Sequence, residues 1–280
     1  MKSVALVVFA IADTPHRATH THRHLSVTRP YLEHLAERLG GDLLIFTDRQ
    51  REGRQLPAWQ KLCIPASLSH DYEMIVCMDF DILPHPLTPL DDLLHIPAGK
   101  VAMCAVASDA RKAQHSYRTA LGLDAAAVSN VRHVLNSGVF AWKTASDGPI
   151  RALFDQLFTT AQEHCSEQSA FAHAIQQRGM HHLLHERYNT QYVRAKPFPF
   201  GWHRPNKVLL NTPALRPIAR LTDMLALRAL FAKPCFIHFV GGMYADALTY
   251  GAAMLGDPWQ YQTIATDGPS AVFQKQVESL

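Results

Sequence analysis

The sequence predicts an α/β fold: one domain over 1–280 with a mostly parallel central sheet flanked by helices, and a C-terminal loop and helical extension. Three observations point there. Short apolar runs of strand length recur at Val4–Ala12, Leu43–Thr47, Glu73–Met78, Val101–Ala107, Val139–Trp142 and Cys235–Phe239. Amphipathic stretches such as Pro30–Leu39 and Ile150–Gln162 separate several of them, and strands alternating with helices build parallel sheets. A chain of 280 residues, 48% of them hydrophobic, also has enough apolar surface to bury a full core.

Val4–Ala12 reads as the opening buried strand. Its Ala10-Ile11-Ala12 imitates a signal-peptide cleavage pattern, but the apolar run is at the short end for one. His16–His24 follows as a polar loop in which His20, His22 and His24 alternate, a pattern open to metal binding, acceptor contacts or plain surface. Pro30–Leu39 is helical, and Leu43–Thr47 is the next strand, with Asp48 as a turn or rim residue. Glu73–Met78, Val101–Ala107 and Val139–Trp142 continue the sheet. Ile150–Gln162 and Ser166–Arg178 are helices, the second with Ser166 as N-cap and Glu167 as a first-turn carboxylate. Lys196–Pro217 carries five prolines and reads as a long loop or flap, after which Cys235–Phe239 returns to strand.

The formal charge is only +3 and the basic residues are scattered, so the chain has no electrostatic footprint for nucleic acid. Five cysteines without a CxxC pair, three of them inside apolar runs, fit a reduced, cytoplasmic setting. No segment approaches the roughly 20 apolar residues of a membrane span. Membrane contact is therefore expected to be at most peripheral, at the inner face.

Ligands of doubly wound sheets collect at the carboxyl ends of strands, which directs attention to Asp13, Asp48, Asp79, Asp81, Asp109 and His238. Asp79 and Asp81 stand apart. They directly follow Met74–Met78, and residues two apart at a strand end point to one side, with Phe80 to the other. Two carboxylates so close repel unless a cation neutralises them, and a hard divalent ion does this economically. The alternative is a pair of helix-capping aspartates ahead of Pro84-His85-Pro86.

In these residues the sequence resembles the GT-A glycosyltransferases, whose domain is Rossmann-like, and most closely the retaining family 8 group that includes glycogenin and the bacterial lipopolysaccharide galactosyltransferases. Asp79-Phe80-Asp81 is similar to the family's DxD, and Val106-Ala107-Ser108-Asp109 to its following strand-end aspartate. Leu135-Asn136-Ser137-Gly138-Val139-Phe140 is similar to its NSG segment, and Glu167-Gln168 to its Asp-Gln pair. Phe236-Ile237-His238-Phe239-Val240-Gly241-Gly242 is similar to its C-terminal H-(F/Y)-x-G. The elements come in the family's order and span Lys61 to Gly242.

The resemblance implies a nucleotide-binding half over 1–110 that contains the DxD, an acceptor and sugar half over 111–245, and an extension over 246–280. It implies Asp79, Asp81 and His238 as ligands of Mn²⁺, with Mg²⁺ as the alternative, since an imidazole beside two carboxylates suits the more borderline ion. The donor is expected to be a UDP-sugar, held by Ala10, Ile11, Asp13, Lys61, Phe80, Asn136, Ser137, Gly138 and Gly241. Asp109 and Glu167 would hold the donor sugar, and Gln168 would sit near the anomeric carbon on the acceptor side. A neutral amide is a poor nucleophile, which fits retention by front-face attack. The acceptor is expected to be a glycan, a lipid-linked sugar or a protein. Trp202, with His203 and Arg204, is the aromatic candidate for stacking on it.

The chain departs from the family after Gly241. A lysine that pairs with the diphosphate is expected there, whereas this chain reads Gly242-Met243-Tyr244-Ala245-Asp246. Either Arg204, Lys207 or Lys233 supplies the charge, or the metal and the Gly241 and Gly242 amides suffice. The departure keeps open a relative that binds nucleotide sugars without turnover. Nucleotidyl transfer to sugar phosphates is disfavoured, because Ala10–His16 contains no glycine for a phosphate loop.

Overall fold

Strand β1 (Lys2–Phe9) buries Val4, Ala5, Leu6, Val7 and Val8, as expected for a strand covered on both faces. The structure, a computed structural model, describes residues 2–53, 56–63, 67–160, 166–195, 212–240 and 244–264. After β1 the chain enters α1 (Pro15–Arg38), where the Thr14 hydroxyl accepts from the Arg17 amide at 3.3 Å and Pro15 occupies a first-turn position that needs no N–H donor. The histidines of His16–His24 therefore lie on a helix and not in a loop. His20 and His24 share a face while His22 points elsewhere, so the three form no joint metal site. The polar run hid the helical period, and Thr14-Pro15 was the start signal. Gly40, with φ 64°, closes the helix by donating its amide to the Glu37 carbonyl.

The remaining strands and longer helices are β2 (Asp42–Phe46), β3 (Tyr72–Asp79), β4 (Ile82–Pro84), β5 (Val101–Ala107), α2 (Ala110–Leu121), β6 (Val134–Lys143), α3 (Gly148–Thr160), α4 (Glu167–Gln177), β7 (His181–Leu184), β8 (Thr190–Gln191), α5 (Arg216–Phe231), β9 (Phe236–His238) and α6 (Ala245–Leu255). The main sheet has the order β2-β1-β3-β6-β5-β7. All its strands run parallel to one another except β6, which is antiparallel to both β3 and β5. An apolar run carries no direction, so this reversal was not readable from the sequence. The β3–β6 pairing carries the sheet across position 110.

One face of the sheet packs Phe140, Trp142, Phe154 and Phe171 edge to face, and the other packs on Leu32, Leu35 and Leu39 of the α1 region. A second, small sheet of order β4-β9-β8 sits beside a third apolar cluster formed with α5 and α6. Two local expectations change. Ser166 stands at the N-cap of α4 without making a side-chain cap bond, and Pro217 opens α5 instead of belonging to a flap, a place proline tolerates. Residues 196–211 of the expected flap lie outside the described residues.

Candidate active site

Asp79 is the last residue of β3, and the chain turns through Phe80 and Asp81 directly into β4. The two aspartates thus cap no helix. Antiparallel pairing sets Ile82 opposite His238, and the Phe239 amide donates to the Asp81 carbonyl at 3.0 Å. This register brings the imidazole beside the aspartates. His238 Nε2 lies 3.3 Å from Asp81 Oδ1 and 3.6 Å from Asp79 Oδ2. Their potential ligand atoms all fall within 4.8 Å of one another, the single such group among the described residues.

Behind the cluster, a chain of hydrogen bonds orients the imidazole. Asn136 Oδ1 accepts from the Gly138 amide at 2.7 Å and from Asn189 Nδ2 at 2.6 Å, and Asn189 Oδ1 faces His238 Nδ1 at 2.8 Å. Because the Asn189 nitrogen must donate to Asn136, its oxygen must accept from His238. The network therefore assigns a proton to Nδ1 and aims Nε2 at the carboxylates. Gly138 leaves room for this arrangement: a Cβ there would stand 2.6 Å from His238 Cε1 and 2.7 Å from Nδ1. It lies in a β-bulge, where pairing jumps from Met103 opposite Phe140 to Cys104 opposite Asn136.

Lys61 enters from a 3₁₀ turn, Pro57–Cys63, that Trp59 anchors in the core and Gln60 staples to the Gln50 and Arg51 amides at 2.8 and 3.0 Å. Its buried ammonium bonds Asp79 Oδ1 and lies 3.6 Å from Glu167 Oε1. It is therefore neither a solvated surface lysine nor a free phosphate ligand. Glu167 also accepts from Ser137 Oγ at 2.9 Å, and Gln168 Oε1 from the Ser137 amide at 3.4 Å, which ties the start of α4 to the bulge of β6.

Burial opposes charge throughout the cluster, and the neighbours overcome it at Lys61, Asp81 and His238 but not at Asp79. The carboxylates of Asp79 and Glu167 overcome burial and hold the Lys61 pKa high. Burial raises the Asp79 pKa despite Lys61. Burial acts on Asp81 in the same sense, but His238 overcomes it and lowers the Asp81 value. For His238, burial lowers while Asp81 raises, and Asp81 prevails. A group whose native pKa is raised stabilises the fold below its unfolded pKa, about 6.5 for an imidazole, and loses that contribution as pH rises through the native value. Asp79 acts in the same direction. Burial lowers the pKa values of His34, His85, His133 and His181, and these act in the opposite direction, so the coupling is read as a difference. The melting-temperature advantage of the wild type over Asp81→Ala in a chelator is expected to shrink as pH rises from mildly acidic to mildly alkaline, and an advantage that does not change with pH would contradict it.

A cleft of about 420 Å³ opens over the cluster, lined by Ile11, Lys61, Asp79, Phe80, Asp81, Asn136, Ser137, Glu167, Gln168 and His238 from the expected set. Four other expected residues are not in its lining. The Ala10 amide is committed to the Phe46 carbonyl at 2.8 Å. Asp13 is exposed and pairs with Arg17 at 2.8 Å. Asp109 is exposed as the N-cap of α2, accepting from the Lys112 amide at 3.1 Å. Gly138 packs against His238 instead of forming the cleft wall. Gly241, Trp202, His203, Arg204 and Lys207 lie outside the described residues, and Lys233 is exposed away from the lining.

The cleft also holds Phe9, Arg17 and Val240, which the sequence reading did not single out for it, and Asn189 stands behind His238. Arg17 had a weak signal, a cation in the first turn of the helix after the first strand. Asn189 had none, because its role exists only once three distant segments meet.

Fold and cleft together define a class: the GT-A fold, with two strand-end aspartates and a histidine converging beneath a cleft. No family model and no curated protein matches the chain in sequence. Among solved structures it is similar to the bifunctional glycosyltransferase WbbM, at 12% identity and a TM-score of 0.52 over 93% of this chain and 51% of that one. It is also similar to the glycosyltransferase GlyE of Streptococcus pneumoniae TIGR4, at 13% identity and a TM-score of 0.50 over 97% of this chain and 66% of that one. A glycosyltransferase involved in glycosylation of the major capsid of PBCV-1 aligns at 11% identity and a TM-score of 0.53, over 90% of this chain and 99% of that one. The chain thus spans about half the length of the first and less than two thirds of the second.

Proposed function

We propose that the chain is a metal-dependent glycosyltransferase that moves a hexose from a UDP-sugar to a glycan, lipid-linked or protein acceptor with retention. The observation that carries this reading is the convergence of Asp79, Asp81 and His238 at the cleft floor. The donor set fits a divalent cation. Counting Asp79, Asp81 and Glu167 against Lys61, three carboxylates and one ammonium leave a formal charge of −2 with the imidazole neutral. A bound Mn²⁺ would neutralise that excess and stabilise the negative charge on a departing diphosphate.

The chain's own residues supply the rest. Asn189 keeps the proton on His238 Nδ1, so that Nε2 presents a lone pair to the cation. Lys61 fixes Asp79 and Glu167 relative to each other, and Ser137 fixes Glu167 and Gln168 at the start of α4. On this reading one carboxylate and one amide at the cleft are available to donor-sugar hydroxyls and an incoming acceptor. Arg17, on the cleft wall and paired with the exposed Asp13, is a cation available to exchange that carboxylate for a diphosphate. It takes the place of the cation that the sequence lacks after Gly241.

Melting temperature against UDP-, GDP- and CDP-sugars, with and without Mn²⁺, tests the donor, since a ligand of the native state alone raises it. A shift with UDP-sugars that requires Mn²⁺ is expected, followed by donor hydrolysis under the same conditions. No shift with any of the three nucleotides would defeat the reading. Asn189→Leu is expected to weaken Mn²⁺ affinity by about 10–100-fold, the range for partners that orient a ligating histidine. Titration calorimetry reads this without turnover, and wild-type affinity in that variant would remove Asn189 from the account.

A further inference from the structure

We propose that the outward face of α5 is a docking surface for an anionic lipid bilayer. The inward side of this helix carries Ala219, Thr222, Asp223, Ala226 and Leu227, all buried. Its outward side carries Ile218, Leu221, Met224 and Leu225, exposed at 46, 57, 41 and 52%. Five large apolar residues are at least this exposed among the described residues, and these four fall within two turns of one helix. Scattered singly, exposed leucines are ordinary, but a contiguous stripe marks a contact surface.

Charge identifies the partner. Arg220, Arg228 and Lys233 are exposed along the same stretch. The one acidic residue between 216 and 233, Asp223, is turned inward and accepts from the Tyr192 hydroxyl at 2.5 Å. The outward face is thus apolar and cationic with no carboxylate, the composition of a helix that lies in a membrane interface with its cations at anionic headgroups. A deformable bilayer needs no matching shape. The helix has 16 residues, and no described helix is long and apolar enough to cross a membrane, so the contact is one of lying on the surface.

Flotation of the full chain with phosphatidylglycerol-rich vesicles, against phosphatidylcholine vesicles, tests the docking without measuring turnover. Binding to the anionic vesicles alone is expected, with a loss of at least about tenfold in Leu221→Glu/Leu225→Glu and a similar loss in Arg220→Glu/Arg228→Glu. High salt should reproduce the second loss. Melting temperature and elution volume report folding, and Leu221→Ser/Leu225→Ser replaces the glutamate pair if that pair does not fold. Absence of vesicle binding by the wild type, or equal binding by folded variants, overturns the proposal. So does a stable dimer that the leucine variant turns into monomer, because the face would then belong to a second copy.

Discussion

Asp81→Ala is expected to abolish Mn²⁺-dependent release of nucleotide diphosphate and to lower Mn²⁺ affinity by more than about 100-fold, beyond the range for losing an orienting partner. Asp81 is the most committed member of the cluster. It is buried at 7% exposure, its Oδ1 is the oxygen closest to His238 Nε2, and its backbone carbonyl is held by Phe239. Asp79 cannot substitute, because Lys61 already occupies its Oδ1. The variant keeps the β4–β9 pairing, which is made by backbone, so the fold should persist. Removing Asp81 also removes the largest influence raising the His238 pKa, so in a chelator the variant's stability deficit relative to the wild type should be larger at mildly acidic than at mildly alkaline pH. Mn²⁺ affinity and the pH profile are separate readouts, and retention of wild-type affinity would exclude Asp81 as a ligand.

How far the site was legible depended on whether a residue's role is local. Asp79, Asp81 and His238 were readable because each directly follows or ends an apolar run, and a strand end is the same place whichever way neighbouring strands pair. The apolar runs themselves located β1, β2, β3, β5 and the second half of β6. Asp109 was read by the same rule and turned outward, since the rule finds strand ends without telling which side of the sheet the next residue faces. Its observed role as a helix cap depends only on the local backbone. The reversal of β6, the helical start of α1 and the partner of His238 were out of reach for different reasons. Strand direction leaves no trace in composition, a polar helix start hides its period, and Asn189 acts through Asn136 and His238, 53 and 49 residues away in sequence.

Gly138→Ala is expected to disturb the site by sterics, where Asp81→Ala does so by ligand loss. The new methyl would stand 2.6 Å from His238 Cε1, 2.7 Å from its Nδ1 and 2.8 Å from Asn136 Oδ1, all inside contact distance. None of the three can yield freely. His238 is held by the register of β9 on β4 and by Asn189, and the Asn136 oxygen is held by the Gly138 amide and the Asn189 amide. The ring must therefore swing away, which takes Nε2 off the carboxylates or breaks the bond that sets its tautomer. Overpacking of this kind costs about 1–3 kcal/mol, against roughly 0.4–1 kcal/mol gained from a stiffer unfolded chain. The metal-free melting temperature should fall. Calorimetric Mn²⁺ titration should find at least about a tenfold loss, as for other disturbances of a ligand's orientation. A Gly138→Ala protein that binds Mn²⁺ like the wild type would mean that His238 is not held where these contacts place it, and the three-ligand centre would have to be reassigned.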